Sequence, residues 1–236
     1  MNKKLTNIAS LVAGAFVLSS AASSHAAEYL VTIQTSPLNS SALSANGPFQ
    51  LDLQLNYGTG GIGNTATVNN FSFGGGGSAV GTPTYLSGLV AGSLNSAVTL
   101  SDNASSQFNE FDQVFNPGTS ISFDVTLSNN PGGQTPDGFV VDILDNGNAP
   151  ILTSAPDQIG LAELTVGGFG QITTGAYAGV NNTDPNNANE AELGDYSGVT
   201  TTVSVAPVPE PSSIGILALG LGVGGWFVAR RKAARA

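Results

Sequence analysis

The chain has 236 residues, of which 16 are Asp or Glu, 6 are Lys or Arg, one is His and none is Cys, for a formal charge of −10. All six cations and His25 lie in the first 25 or the last seven residues, so the roughly 180 residues from Ala27 to Pro207 carry 15 acids and no basic side chain. That inventory excludes serine and cysteine triads and thiol or imidazole metal sites, Schiff bases and cationic phosphate clamps, disulfides, and nucleic acid as a partner, since its binding rests on neutralised phosphates. What remains is oxygen chemistry: a two-acid glycosidase, an aspartic dyad or a hard-cation site.

Residues 1–26 read as a secretory signal peptide. Lys3 and Lys4 precede an 11-residue apolar stretch, Ile8–Leu18. Small residues at Ser24 and Ala26 predict cleavage after Ala26.

Residues 27–180 are predicted to form one all-β domain. The dominant pattern is two-residue alternation, the signature of strands with one face buried. Phe49, Leu51, Leu53 and Leu55 alternate with Gln50, Asp52 and Gln54. Ile121, Phe123, Val125 and Leu127 alternate with Ser122, Asp124 and Thr126, and Phe139, Val141 and Ile143 alternate with Val140 and Asp142. Val199–Val205 repeats the pattern, and 28–35, 65–73, 96–100, 110–115 and 161–166 are further strand candidates. In 65–73 the apolar phase slips from Ala66 and Val68 to Phe71 and Phe73, which predicts a bulge at Asn69-Asn70. Glycine, Asn, Ser and Pro clusters supply the turns between strands. About nine strands at this spacing predict an antiparallel β-sandwich of jelly-roll type. With no lysine to guard the sheet edges, Asp and Glu are expected to do so. Residues 181–207 read as a polar loop, a last strand and a linker.

Within the body, Asp142, Asp145, Asn146 and Asn148 gather oxygen ligands at a strand end and are a candidate calcium site. Asp145-Asn146-Gly147-Asn148 is also an ordinary turn sequence, and that reading is the simpler one. Asn182, Asp184, Asn186 and Glu190 form a second oxygen cluster without the full calcium-loop spacing, and they equally suit a solvated loop. Calcium is the one cofactor these residues suggest. Asp124 and Asp142 would serve a glycosidase if their strands were neighbours. Tyr57, Tyr85, Tyr177 and Tyr196 are candidate sugar-stacking residues in a body that has no Trp.

The tail, 208–236, has three parts. Val208, Pro209, Glu210 and Pro211 form a proline-rich spacer, with Pro207, Pro209 and Pro211 favouring an extended, pre-ordered backbone. Sixteen apolar residues follow, Ile214–Ala229, or eighteen with Ser212 and Ser213. At about 1.5 Å per residue these span roughly 24–27 Å, enough for a short transmembrane helix over 212–229. Arg230, Arg231, Lys232 and Arg235 close the chain and predict a cytoplasmic end, with the body outside.

The order Val208-Pro209-Glu210-Pro211, apolar helix, Arg-rich end resembles the PEP-CTERM sorting signal of Gram-negative bacteria. The resemblance implies export, recognition at Val208–Pro211 by an exosortase (a membrane-embedded, transpeptidase-like enzyme), and transient anchoring until processing. It also implies a mature form at the cell surface or in a biofilm matrix rich in exopolysaccharide. The body resembles small PEP-CTERM proteins of unassigned function at Leu30–Ile33, Gly47–Asp52 and Ser120–Asp124. The combined expectation is an exported, acidic, non-enzymatic exoprotein. The alternatives are an exopolysaccharide-binding module and, third, a carboxylate glycosidase.

Overall fold

The computed structural model describes residues 28–58, 63–103, 105–106, 108–128, 137–156, 160–166, 172–182 and 194–205. The signal peptide, the spacer, the transmembrane segment, the basic end, and Asp184, Asn186 and Glu190 lie outside the described residues. Among those residues there is no α-helix, and no helix long and apolar enough to cross a membrane.

Fifteen strands are present among the described residues: β1 (Glu28–Gln34), β2 (Phe49–Asn56), β3 (Thr65–Ser72), β4 (Ser78–Ala79), β5 (Tyr85–Ser87), β6 (Leu89–Gly92), β7 (Val98–Ser101), β8 (Phe108–Asn116), β9 (Ser120–Leu127), β10 (Asp137–Leu144), β11 (Ala162–Val166), β12 (Ile172–Ala176), β13 (Asn181–Asn182), β14 (Gly194–Asp195) and β15 (Thr201–Val205). Each of the nine predicted stretches overlaps one of them. The six others (β4, β5, β6, β12, β13 and β14) are two to five residues long, too short for alternation to reveal.

Every pairing between strands is antiparallel. A first sheet runs β15-β1-β9-β3-β7-β6, a second runs β12-β11-β10-β2-β8-β4 with β5 also on β8, and β13 pairs with β14. The pairings nest: β1 with β9, β2 with β8 inside it, and β3 with β7 inside that. Alternation puts Val31 and Ile33, Leu51 and Leu53, Phe123 and Val125, and Phe139 and Val141 into one core cluster shared by both sheets. Each such side chain contributes roughly 1.5–3 kcal/mol by leaving water. β15 lies beside β1, and Tyr196 and Val199 join the same core.

The bulge falls at the expected position. Register shifts between Asn69 and Ser72, and Asn70 has φ 55°. One inserted residue reverses the side-chain parity, so Ala66 and Val68 before it and Phe71 and Phe73 after it all reach the core. Asn tolerates the left-handed conformation and a β-branched residue does not. Asn70→Gly is therefore expected to be nearly neutral, and Asn70→Val to lower stability by about 1–2 kcal/mol in urea denaturation.

Edge protection differs from expectation. The edge strands β4, β6, β12 and β15 carry no Asp or Glu and are two to five residues long. Shortness guards these edges. Among the described residues, Asp52, Glu110, Asp112, Asp124 and Asp142 sit instead on the long inner strands β2, β8, β9 and β10.

Candidate functional site

Three carboxylates lie in a row across the middle of the second sheet. Asp52 on β2 is directly opposite Asp112 on β8 and directly opposite Asp142 on β10. Leu51 and Leu53 point into the core, so Asp52 and its partners occupy the outer face. Even there they are sealed: Asp52 is 1 %, Asp142 2 % and Asp112 7 % exposed. Glu110, two residues before Asp112 on the same face, completes a group with Asp52 and Asp112 whose ligand oxygens lie within 4.8 Å of one another.

The chemistry of this row is unusual because no cationic side chain offsets it. Like charges directly opposite on neighbouring strands destabilise a sheet, and the domain has no Lys, Arg or His. Burial first, then the charges of Asp112 and Asp142, push the Asp52 carboxyl up to about 9. A hydrogen bond from Gln54 Nε2 to Asp52 Oδ2 (2.6 Å) works against this, while Glu110 adds to it. Burial also raises Asp112, partly countered by its hydrogen bond with Asp52. Glu110 is raised by burial and then by the Asp112 charge. At neutral pH the pair Asp52–Asp112 therefore retains a proton unless a cation takes its place.

Other buried acids here are satisfied differently. Asp102 Oδ1 accepts from the backbone N–H groups of Gly63 (2.7 Å) and Asn64 (2.5 Å). Asp145 Oδ1 accepts from those of Gly147 (2.8 Å) and Ala149 (3.1 Å). Those carboxylates hold turns. By contrast Asp52 Oδ1 and Asp112 Oδ1 are buried with no hydrogen-bond partner, an exception among buried polar atoms.

The row opens at Asp112 and Glu110 into a groove of about 650 Å³. Tyr85 on β5 stands directly opposite Asp112 on its wall and is 50 % exposed. The rim is a network of amides and hydroxyls. Thr84 Oγ1 donates to Gln50 Oε1 and to the Asp112 carbonyl (3.1 Å), and Gln50 Nε2 donates to Asn148 Oδ1 (2.6 Å).

The residues singled out from sequence are distributed as follows. Of the four calcium candidates, Asp142 joins the acidic row, Asp145 closes its own turn, and Asn146 and Asn148 line the groove rim. Asp124 and Asp142 are not neighbours. Asp124 lies on the outer face of the first sheet, bonded to Asn70 Nδ2 (2.8 Å), and Asp142 lies on the outer face of the second, which rules out the proposed glycosidase pair. Tyr196 is fully buried, its hydroxyl accepting from Asn46 Nδ2 (2.8 Å), and cannot stack on a sugar. Tyr177 is half-buried with its hydroxyl on Glu163 Oε2 (3.4 Å), and Tyr57 is half-buried at the end of β2. Of the four tyrosines, Tyr85 alone lines this groove. Asp52, Glu110 and Asp112 escaped the sequence reading. Their one local signal was acids on the polar face of two long strands, with no cation nearby.

The class of protein is defined beyond β15. Residues 207–232 match a family model described as the PEP-CTERM protein-sorting motif. The chain therefore carries the signal of an exosortase-targeted, exported protein whose C-terminus is membrane-anchored before processing. The match covers the tail and not the β-domain. No curated protein and no solved structure matches the chain significantly.

Proposed function

We propose that this is a non-enzymatic exoprotein, delivered by its tail to exosortase and left at the surface or in an exopolysaccharide matrix as an acidic domain of jelly-roll type. The sorting motif at 207–232 carries this reading. The nested strand pairings support the scaffold. The inventory of the domain supports a non-catalytic role, because it has no Lys, Arg, His or Cys and Asp52, the central acid of the cluster found among the described residues, is only 1 % exposed. Calcium is the only cofactor the chemistry calls for. Mass spectrometry of the surface and medium fractions tests the route. A mature form lacking both residues 1–26 and the apolar stretch from Ile214 is expected, and a mature form retaining Ile214–Ala229 overturns the processing step.

A second reading, carbohydrate binding, is favoured by one observation: an exposed tyrosine on the wall of a groove rimmed by amides. Sugar faces stack on such rings. If the groove binds the native exopolysaccharide, Tyr85→Ala weakens retention by about tenfold, corresponding to about 1.4 kcal/mol, whereas Tyr196→Phe, altering a buried residue, leaves it unchanged. Equal retention of wild type and Tyr85→Ala excludes this reading.

A further inference from the structure

We propose that Asp52, Glu110 and Asp112 form a divalent-cation site on the outer face of the second sheet, with calcium as its probe. It is separate from the turn at Asp145 that the sequence suggested, and it stands independently of the sorting route.

Geometry comes first. Oxygens bound to one calcium lie no more than about 5.2 Å apart, twice the longest 2.6 Å bond. The ligand oxygens of Asp52, Glu110 and Asp112 all lie within 4.8 Å of one another, close enough to share one divalent cation. The sealed oxygens are the second observation. Asp52 and Asp112 are each more than nine-tenths buried, and the Oδ1 atom of each lacks any hydrogen-bond donor. A carboxylate oxygen shielded from water and denied an N–H is unfavourable unless a cation completes it. Asp102 and Asp145 show how this fold partners buried acids whose role is structural: with backbone N–H groups. No Lys, Arg or His of the domain can substitute for the ion.

Access and rigidity also fit. Asp112 and Glu110 line the groove, which admits an ion and the waters needed to reach the six to eight oxygens that calcium takes. All three ligands lie on β2 and β8, paired over eight residues in the middle of the sheet, so their spacing is held by backbone hydrogen bonds rather than by a loop.

Tyr85, opposite Asp112, supplies a probe, because a nearby tyrosine sensitises the luminescence of terbium bound in a calcium site. The full chain, purified in detergent and stripped with chelator, is titrated with terbium and, by calorimetry, with calcium. The expected result is emission that saturates at one ion per chain and is displaced by calcium but not by sodium at equal ionic strength. Asp112→Asn is expected to weaken calcium binding more than about tenfold, since even outer-shell partners are worth that much. Asp52→Asn, which keeps the shape and removes a buried charge, does the same and guards against misfolding of the first variant. Tyr85→Phe retains calcium binding in calorimetry and loses most of the emission. The proposal is overturned by absence of calcium binding, by binding unchanged in both Asp variants, or by emission indifferent to Tyr85→Phe.

Discussion

In chelator, the melting temperature of this protein is expected to fall continuously as pH rises from about 4 to about 9. The cause is Asp52, whose carboxyl sits at about 9 in the fold against 3.8 for an ordinary Asp. Facing it are Asp112 and Glu110 from β8 and Asp142 from β10, with Tyr85 on β5 behind Asp112, and no cation. Between these two values the unfolded chain has released the proton and the folded chain still holds it. Stability is thus fully present below the lower value and is lost as pH approaches the upper one. The slope is about 1.4 kcal/mol per pH unit for one proton. For a domain of this size, that corresponds to roughly 3–5 °C per pH unit. Asp52→Asn cannot ionise and flattens the profile, becoming more stable than wild type at pH 8. Thermal scans of both proteins from pH 5 to 8 measure this directly. A wild-type profile that rises over that interval contradicts a proton held at Asp52.

The second large effect is in the core. Phe123→Ala is expected to cost about 3–5 kcal/mol, by lost transfer energy and by the cavity left behind. Phe123 is fully buried on β9, opposite Val31 on β1, with its ring 5.4 Å from that of Phe71 across the bulged strand β3. It thus joins three strands of the first sheet. Phe71 is only half-buried, so Phe71→Leu is expected to cost less than about 1.5 kcal/mol. Urea denaturation of the two variants separates these outcomes, and equal losses would show that the Phe123 site relaxes.

Much of the strand content was legible because alternation is local. Phe49–Leu55, Ile121–Leu127 and Phe139–Ile143 each declare one apolar face within eight residues, and the parity slip at Asn69-Asn70 declares its own bulge. The short strands β4, β5 and β6 were not legible. Two to four residues cannot establish a period, and their place is set by β7 and β8, onto which they pair. The turn at Asp145 was legible because Asp145-Asn146-Gly147-Asn148 is a local turn sequence, and its carboxylate accepts from the Gly147 and Ala149 N–H groups. The acid site was not, because Gln50, Asp52 and Gln54 are equivalent as the polar face of a strand until a partner is known.

The sequence by itself determined the exclusion of His, Cys, Lys and Arg chemistry from the body, the all-β antiparallel character and the three-part sorting tail, since each of these depends on composition or on residues within one short stretch. Only the tertiary structure decided which acids matter. Asp52 lies about 60 residues from Glu110 and Asp112 and 90 from Asp142, and their approach depends on β2 being laid between β8 and β10. That order is chosen by burial of the opposite, apolar faces in a shared core. The charges are carried along on the outer face, where the same register that satisfies the core forces four carboxylates together.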